Sequence, residues 1–216
     1  PKDRYYLYQS RWRPELPMAH LLPHWTWPGR EGQVTPVHVF TSGEEAELFV
    51  NGVSQGRKKK APFEYRLRWD DVVYRPGELR GQAYKDGKPW ASASTRTADA
   101  PVRIDAVADR RVIANDGRDL SFVTVRVVDR NGVAVPNAGN RIRFSIEGPG
   151  EIVATDNGDP TDMEAFVAQE RRLFSGLALA IVRAVPGSTG TITLHADGDA
   201  LQGTSITLES RAPEHP

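Results

Sequence analysis

The sequence predicts an all-β protein, two tandem immunoglobulin-like β-sandwiches preceded by an aromatic-rich segment. Three observations predict it. Apolar and polar residues alternate at period two in run after run, as half-buried strands require. Asn-Gly, Asp-Gly and Gly-Pro-Gly signals separate those runs, and Asn-Gly between apolar runs favours a type I′ hairpin because both central residues need positive φ. The 216 residues hold two sandwiches, and helical periodicity is nearly absent.

Residues 1–33 form the first segment, and 1–27 of it, PKDRYYLYQSRWRPELPMAHLLPHWTW, are dense in Tyr and Trp. Large aromatics bury roughly 150–250 Å² each, so this stretch demands a partner surface. It reads as the end of something larger, whose partner lies in polypeptide outside the sequence. Tyr5, Tyr6, Tyr8 and Trp12 are expected to leave an apolar patch, through which residues 1–27 would self-associate, fold back or stay mobile.

The first sandwich is expected over residues 34–98. Ala46, Leu48 and Val50 make one strand face and Asn51-Gly52 the turn after it. Phe63, Tyr65, Leu67 and Trp69 alternate with Glu64, Arg66, Arg68 and Asp70, which predicts a further strand. The small, polar run SASTRTADAP at 92–101 marks the boundary between sandwiches.

The second sandwich is expected over residues 99–216, with a frayed tail from Arg211. Val123, Val125 and Val127, then Ile142, Phe144 and Ile146, then Ile192, Leu194 and Ala196, then Ile206 and Leu208 supply its strand faces. Residues 156–176, DNGDPTDMEAFVAQERRLFSG, are too long for a hairpin connection. Thr161 with Glu164 three residues on resembles a capping box, which predicts a helical turn from Asp162 towards Gln169. A long structured loop on a sandwich either carries binding or only bridges the sheets.

Composition removes several functions. The 28 Lys and Arg balance 28 Asp and Glu, which argues against general binding to nucleic acid or anionic membrane. The basic run Arg57-Lys58-Lys59-Lys60 has no second cluster beside it and reads as a solvated hairpin end. With no cysteine, disulfides, thiolate nucleophiles and Cys-based zinc sites are excluded. No apolar stretch approaches the ~18 residues of a membrane span, and the first residues lack the apolar core of a signal peptide.

The residues that carry chemistry are few. Asp156, Asp159, Asp162 and Glu164 are the one acidic cluster in an expected loop, but lack the Asp-x-Asp-x-Asp-Gly order of a calcium site, so turn carboxylates are the default. Between His20 and His24 stands Pro23, which disfavours helical backbone at Leu22, so the two imidazoles are not expected on one helix face as a zinc pair. No nucleophile elbow, P-loop or dinucleotide fingerprint occurs. His24, Trp25 and Trp27 either stack on a sugar ring or wedge against an upstream domain, and Asp156 and Asp159 join them as candidate carbohydrate contacts. No catalytic residue, metal or cofactor is implied.

Two patterns then point to a family. PKDRYYLYQSRW followed by HLLPHWTWPGREGQVTPVHVFTSGEEAELFVNGVSQG resembles the region after the catalytic barrel of bacterial family 2 glycoside hydrolases, the β-galactosidase group. ANDGRDLSFVTVRVVDRNG with VPNA, then DNGDPTDMEAFVAQERRLFSGLALAIVRA, resembles the C-terminal immunoglobulin-like module of the same enzymes. The ANDG and V-D-x-x-G-x-x-V-P parts are also similar to invasin-type repeats of adhesins. The resemblance implies a bacterial parent, periplasmic or secreted, with a jelly-roll domain, an Ig-like domain and a barrel bearing two catalytic Glu residues. None of these has a match in this sequence. It implies that PKDRYYLYQSRW is the last barrel helix and its exit, that the absent barrel is the partner, and that these are accessory modules. An independent carbohydrate-binding module and an adhesin-like array are the alternatives.

Overall fold

The structure, a computed structural model, describes residues 2–213. The chain divides into two compact units, Pro1–Thr97 and Ala98–Pro216. The frayed tail predicted from Arg211 is strand at Arg211 itself, and its last three residues, His215 among them, lie outside the described residues.

The first unit opens with α1, Asp3–Trp12, an element that period-two reasoning does not reveal. β1 (Ala19–Leu22), β2 (Val37–Thr41) and β5 (Leu67–Trp69) form one sheet in the order β1-β2-β5. β3 (Glu45–Val50), β4 (Val53–Lys59), β6 (Glu78–Lys85) and β7 (Lys88–Arg96) form the other, in the order β4-β3-β6-β7. Every pairing in this unit is antiparallel. The inner faces meet in a core of Trp25, Val37, Val39, Ala46, Leu48, Val50, Leu67, Trp69, Val72, Tyr74 and Leu79. Along β3 the predicted face Ala46, Leu48, Val50 is the buried one.

One expectation fails here, and the bounds of a second are narrowed. The strand predicted from Phe63 to Trp69 begins only at Leu67. Phe63 adopts φ 64° and is 87% exposed, because the Ala61 and Glu64 peptide groups close a turn around it (Glu64 N–H to Ala61 C=O, 3.0 Å). The polar run at 92–101 is also no free linker in its first half. Residues 92–96 are the end of β7, paired with β6 from Gln82↔Ser92 to Glu78↔Arg96. Small polar residues suit an edge strand, where one face looks at water.

The second unit is the larger sandwich. β8 (Arg103–Ala108), β10 (Leu120–Val128), β12 (Gly150–Asp156) and β14 (Leu177–Ala184) form a sheet ordered β12-β14-β10-β8. β9 (Val112–Ala114), β11 (Arg141–Glu147), β13 (Glu170–Arg172), β15 (Gly190–Gly198) and β16 (Thr204–Arg211) form the other, ordered β13-β11-β15-β16-β9. Its strand-to-strand pairings are antiparallel except β9 with β16, and an isolated parallel bridge joins Arg103 to Gln202. The core takes Val123, Val125 and Val127 from β10, Ile142 and Phe144 from β11, Ile192, Leu194 and Ala196 from β15, and Ile206 and Leu208 from β16. Ile146 packs at its margin, half-buried.

Asp129 shows how the turns of this unit are fixed. It is 1% exposed, and its carboxylate accepts N–H bonds from Asp99 (2.9 Å), Asn131 (2.8 Å) and Val133 (2.9 Å). A buried carboxylate is tolerated because its oxygens are occupied by donors.

The Asn51-Gly52 turn joins β3 to β4, with φ 49° at Asn51 and 80° at Gly52, the type I′ requirement. The Asn51 side chain also latches the next loop, donating to Pro76 C=O (3.0 Å) and accepting from Glu78 N–H (2.7 Å). A Cβ added at Gly52 meets nothing within 4 Å, so Gly52→Val isolates the backbone cost of positive φ. It should destabilise the first unit by about 1–2 kcal/mol, read as a lower urea midpoint with unchanged slope. A neutral substitution would contradict the turn assignment.

Candidate functional site

Three places gather polar chemistry. The first is the segment His24 to Trp27, reached through the cis Leu22–Pro23 bond. Trp25 is fully buried at the centre of the first core, edge-on to Tyr74, with its indole N–H given to Arg75 C=O (3.0 Å). That corrects its candidacy as a sugar platform, since no face of the ring is open. His24 and Trp27 are half-buried and stack on each other at 4.1 Å. His24 Nδ1 accepts the Thr26 N–H (3.2 Å), the Trp27 indole donates to His24 C=O (2.9 Å), and the Arg30 guanidinium lies 5.1 Å over the Trp27 ring. Burial holds the His24 pKa below the ordinary imidazole value, so it is neutral near pH 7 and fit to accept that bond. His20 stands apart, stacked on Tyr6 and bonded through Nε2 to Asp3 (2.9 Å). The predicted separation of the two histidines holds.

The second place is the loop of the second unit. Strand β12 runs through Asp156 and β13 starts at Glu170, so the open part is 157–169. No helix forms. Thr161 Oγ1 binds Asp159 Oδ1 (2.8 Å) instead of capping towards Glu164, whose N–H goes to Asp162 Oδ1 (2.9 Å). Local side-chain-to-backbone bonds of this kind compete with the helix and win. Asp156 and Asp159, the two candidate carbohydrate contacts, both serve turns. Asp156 Oδ1 accepts from Asn157 (2.7 Å) and Gly158 (3.1 Å), and Asp159 Oδ1 from Thr161 N–H (2.9 Å).

The organiser of this loop is Arg171, which sequence reasoning did not single out. Its side chain is 1% exposed, and its guanidinium donates to Thr155 C=O (2.9 Å), Asp162 Oδ2 (2.9 Å), Glu164 C=O (3.0 Å) and Ala165 C=O (2.7 Å). The fork geometry of Arg suits this multiple capture. Backbone donation from Glu164, then Arg171, holds the Asp162 carboxyl below its usual pKa. With the polar interior so tied, Met163, Phe166 and Val167 face outward at 93, 65 and 74% exposure. The pair Arg171-Arg172, inside a run otherwise expected to be loop, was the available signal.

The third place is a cavity of about 540 Å³ in the first unit, between the end of α1 and the turn after β4. The basic run that reads as a solvated hairpin end divides here. Arg57 pairs with Glu45 (2.7 Å) and lies over Tyr84, Lys58 gives its ammonium to Arg68 C=O (2.5 Å), and Lys59, largely exposed, lies 3.8 Å from the Glu45 carboxylate. Lys60 turns inward, half-buried, and donates to Thr41 C=O. Burial first, and the nearby Arg11 charge second, push its amine down to about 8. Among the described residues no group of three or more His, Cys, Asp or Glu could hold a metal ion.

Against this geometry the likenesses to known proteins are informative. Residues 104–207 match the glycoside hydrolase family 2 C-terminal domain 5, and residues 32–91 match the domain of unknown function DUF4982. The chain belongs to the C-terminal region of the family 2 glycoside hydrolases. "Beta-galactosidase BoGH2A" of Bacteroides ovatus is 39% identical over 97% of the chain, which covers 24% of that protein. A β-glucuronidase of Formosa agariphila is 26% identical over 97% of the chain, covering 21% of that protein. A crystal structure of a β-glycosidase from Bacteroides vulgatus superposes with a TM-score of 0.91 at 34% identity, over 97% of this chain and 26% of that one. The chain thus spans about a quarter of the length of these family 2 relatives. No helix among the described residues is long and apolar enough to cross a membrane.

Two measurements check this chemistry. Arg171→Met removes the donors of three carbonyls and a carboxylate, and each group left unsatisfied costs about 1–3 kcal/mol. The second unit should lose about 3–5 kcal/mol, and the 157–169 loop should become cleavable by protease. A loop as resistant as the original would show that the guanidinium is dispensable.

Lys60 fixes a pH dependence. Its folded pKa lies below its unfolded value, so the unfolded chain binds more protons between about 8 and 10.5, and the Lys60 contribution to stability rises with pH through that window. Urea midpoints of the first unit at about pH 7 and pH 9.5 should show a rise that Lys60→Met lacks. Identical pH profiles for the two proteins would refute the assignment.

Proposed function

We propose that this chain is a pair of non-catalytic accessory modules of a family 2 glycoside hydrolase, scaffolding a catalytic barrel that acts on β-galactosides or related glycans. The observation that carries the reading is the state of its carboxylates. Retaining hydrolysis needs two carboxyl groups about 5–5.5 Å apart, one with a raised pKa to act as acid. The acidic groups here with a resolved shift, Glu15, Asp70, Asp116, Asp129, Asp162, Glu170 and Glu209, all lie below their ordinary values. Arginines or backbone N–H groups hold them ionised, at Asp129 against the opposing effect of burial. Asp156 and Asp159 are committed to turns.

The activities of the relatives, β-galactosidase and β-glucuronidase, support the substrate class. The exposed α1 aromatics Tyr5, Tyr8 and Trp12 support a barrel of the same protein as the natural partner, with self-association through residues 1–27 as the outcome where that surface is left uncovered. Of the candidate sugar contacts, the stacked pair His24 and Trp27 retains accessible surface. A periplasmic or secreted setting fits extracellular glycans as substrate.

The chain should release no nitrophenol from aryl β-galactosides or β-glucuronides at any enzyme concentration reached. Turnover that disappears when one acidic residue of this chain is changed to its amide would overturn the proposal.

A further inference from the structure

The two outer faces of the second sandwich differ in kind. On the sheet β13-β11-β15-β16-β9 the residues turned away from the core are polar, and they meet one another across the strands: Arg143 with Asp197, Ser145 with His195, and His195 with Ser205. That is the alternation expected of an antiparallel sheet with one wet face. The opposite sheet, β12-β14-β10-β8, breaks it.

Strand β14 reads LALAIV from Leu177 to Val182, apolar on both faces. Ala178, Ala180 and Val182 go to the core, so Leu177, Leu179 and Ile181 look outward. Phe122 of β10 lies directly opposite Ile181, and Thr124 is flanked in the ladder by Leu179 and by Val107 of β8. Phe122, Val107 and Leu177 are 39, 59 and 43% exposed, and Leu179 and Ile181 are half-buried. A strand apolar on both faces suits a sheet that is covered on both.

Charge frames this patch. At one end Arg183, two residues on from Ile181, pairs with Glu151 of β12 at 2.8 Å. At the other Asp105 takes Arg126 at 3.4 Å and Arg103 at 3.3 Å, with Arg126 standing between Asp105 and Leu177 in the ladder. An apolar centre inside a polar rim is the anatomy of a protein–protein interface.

We infer that this sheet face binds a second copy of the chain, sheet on sheet about a two-fold axis. A two-fold axis sets a patch against itself, so the rim must carry both signs of charge to avoid repulsion. Each end of this rim does, and an arginine of one copy meets a carboxylate of the other whichever ends are brought together. A second copy also presents a sheet of the same right-handed twist, the shape that packs face to face at about −30°. The formal charge of the chain is zero, so no long-range repulsion opposes the approach. The barrel is assigned to α1, in the other unit, and the inference stands whether or not the chain is catalytically inert.

The size of the face sets the strength of the contact. Four strands of six to nine residues, about 4.8 Å apart and rising about 3.4 Å per residue, give roughly 450 Å² per copy. That is the low end for a specific interface, so the dimer forms as concentration rises and is not obligate.

The test is the mass of the full chain by light scattering between about 1 μM and 1 mM, the range of a contact of this size. The mass should climb from one chain towards two. Ile181→Lys and Phe122→Lys should each hold it at one chain. Thr207→Lys, on the wet face of the other sheet, and Trp12→Ser, on α1, should leave the climb unchanged. Because the chain has no cysteine, Thr124→Cys places a single thiol in the patch. Its alkylation by excess maleimide should slow at least fivefold across the same range, while that of Thr207→Cys should not, a reading that stands even where a lysine variant fails to fold. A mass of one chain at every concentration would give the face to another domain of the parent. A dimer lost in Trp12→Ser, or one that protects both cysteines equally, would place the contact elsewhere. Any of these results overturns the inference.

Discussion

Each sheet among the described residues turns an apolar face toward the sheet opposite, and such a face is stable only when it is covered. The consequence is two-layer packing in each unit, with side chains of alternate residues interdigitating from both sides. Two large polar groups that cross into these interiors bring hydrogen bonds with them. Trp25 brings its indole N–H to the Arg75 carbonyl, and Asp129 collects three backbone donors. Turn geometry then follows from the sheets, since a hairpin whose strands twist right-handedly needs the positive φ seen at Asn51 and Gly52.

The loop of the second unit solves a different problem. It is too long to be stabilised by strand pairing and too polar to build a core. A single arginine takes the place of that core, drawing together Thr155, Asp162, Glu164 and Ala165. An ion buried this deeply is tolerated only because its donors are matched. The apolar side chains normally placed inside are therefore released to the surface at Met163, Phe166 and Val167. Acidic residues that looked like a candidate binding cluster turn out to shape the loop itself.

Strand identity was legible wherever both the alternation and its bounding turns were local, as at Ala46, Leu48 and Val50 or along β10. It failed at Phe63 and Tyr65, where the alternation persists but a left-handed turn interrupts the backbone, a conformation no side-chain pattern announces. It failed again at residues 92–96, because an edge strand with one wet face carries small polar residues just as a linker does. Helix α1 was legible only through family resemblance, its apolar face being aromatic and mostly exposed. The candidate sites fared less well for a plain reason. Whether Trp25 faces a sugar or a core, and whether Lys60 points to water or inward, depends on contacts between residues as far apart as Trp25 and Arg75 or Thr41 and Lys60, and spacing alone does not encode them.

The position of β16 bears on how the second unit is made. This strand lies inside its sheet, between β15 and β9, and pairs in parallel with residues laid down about a hundred positions earlier, Glu209 with Val112 and Arg211 with Ala114. Until it emerges during synthesis, β15 and β9 both present unpaired backbone edges, the kind of surface that recruits foreign strands. Completion of the sheet is thus delayed to the end of translation of the unit, and its slowest contacts are its most distant in sequence. A nascent chain of this protein would depend on chaperone shielding for longer than a sandwich closed by sequential hairpins.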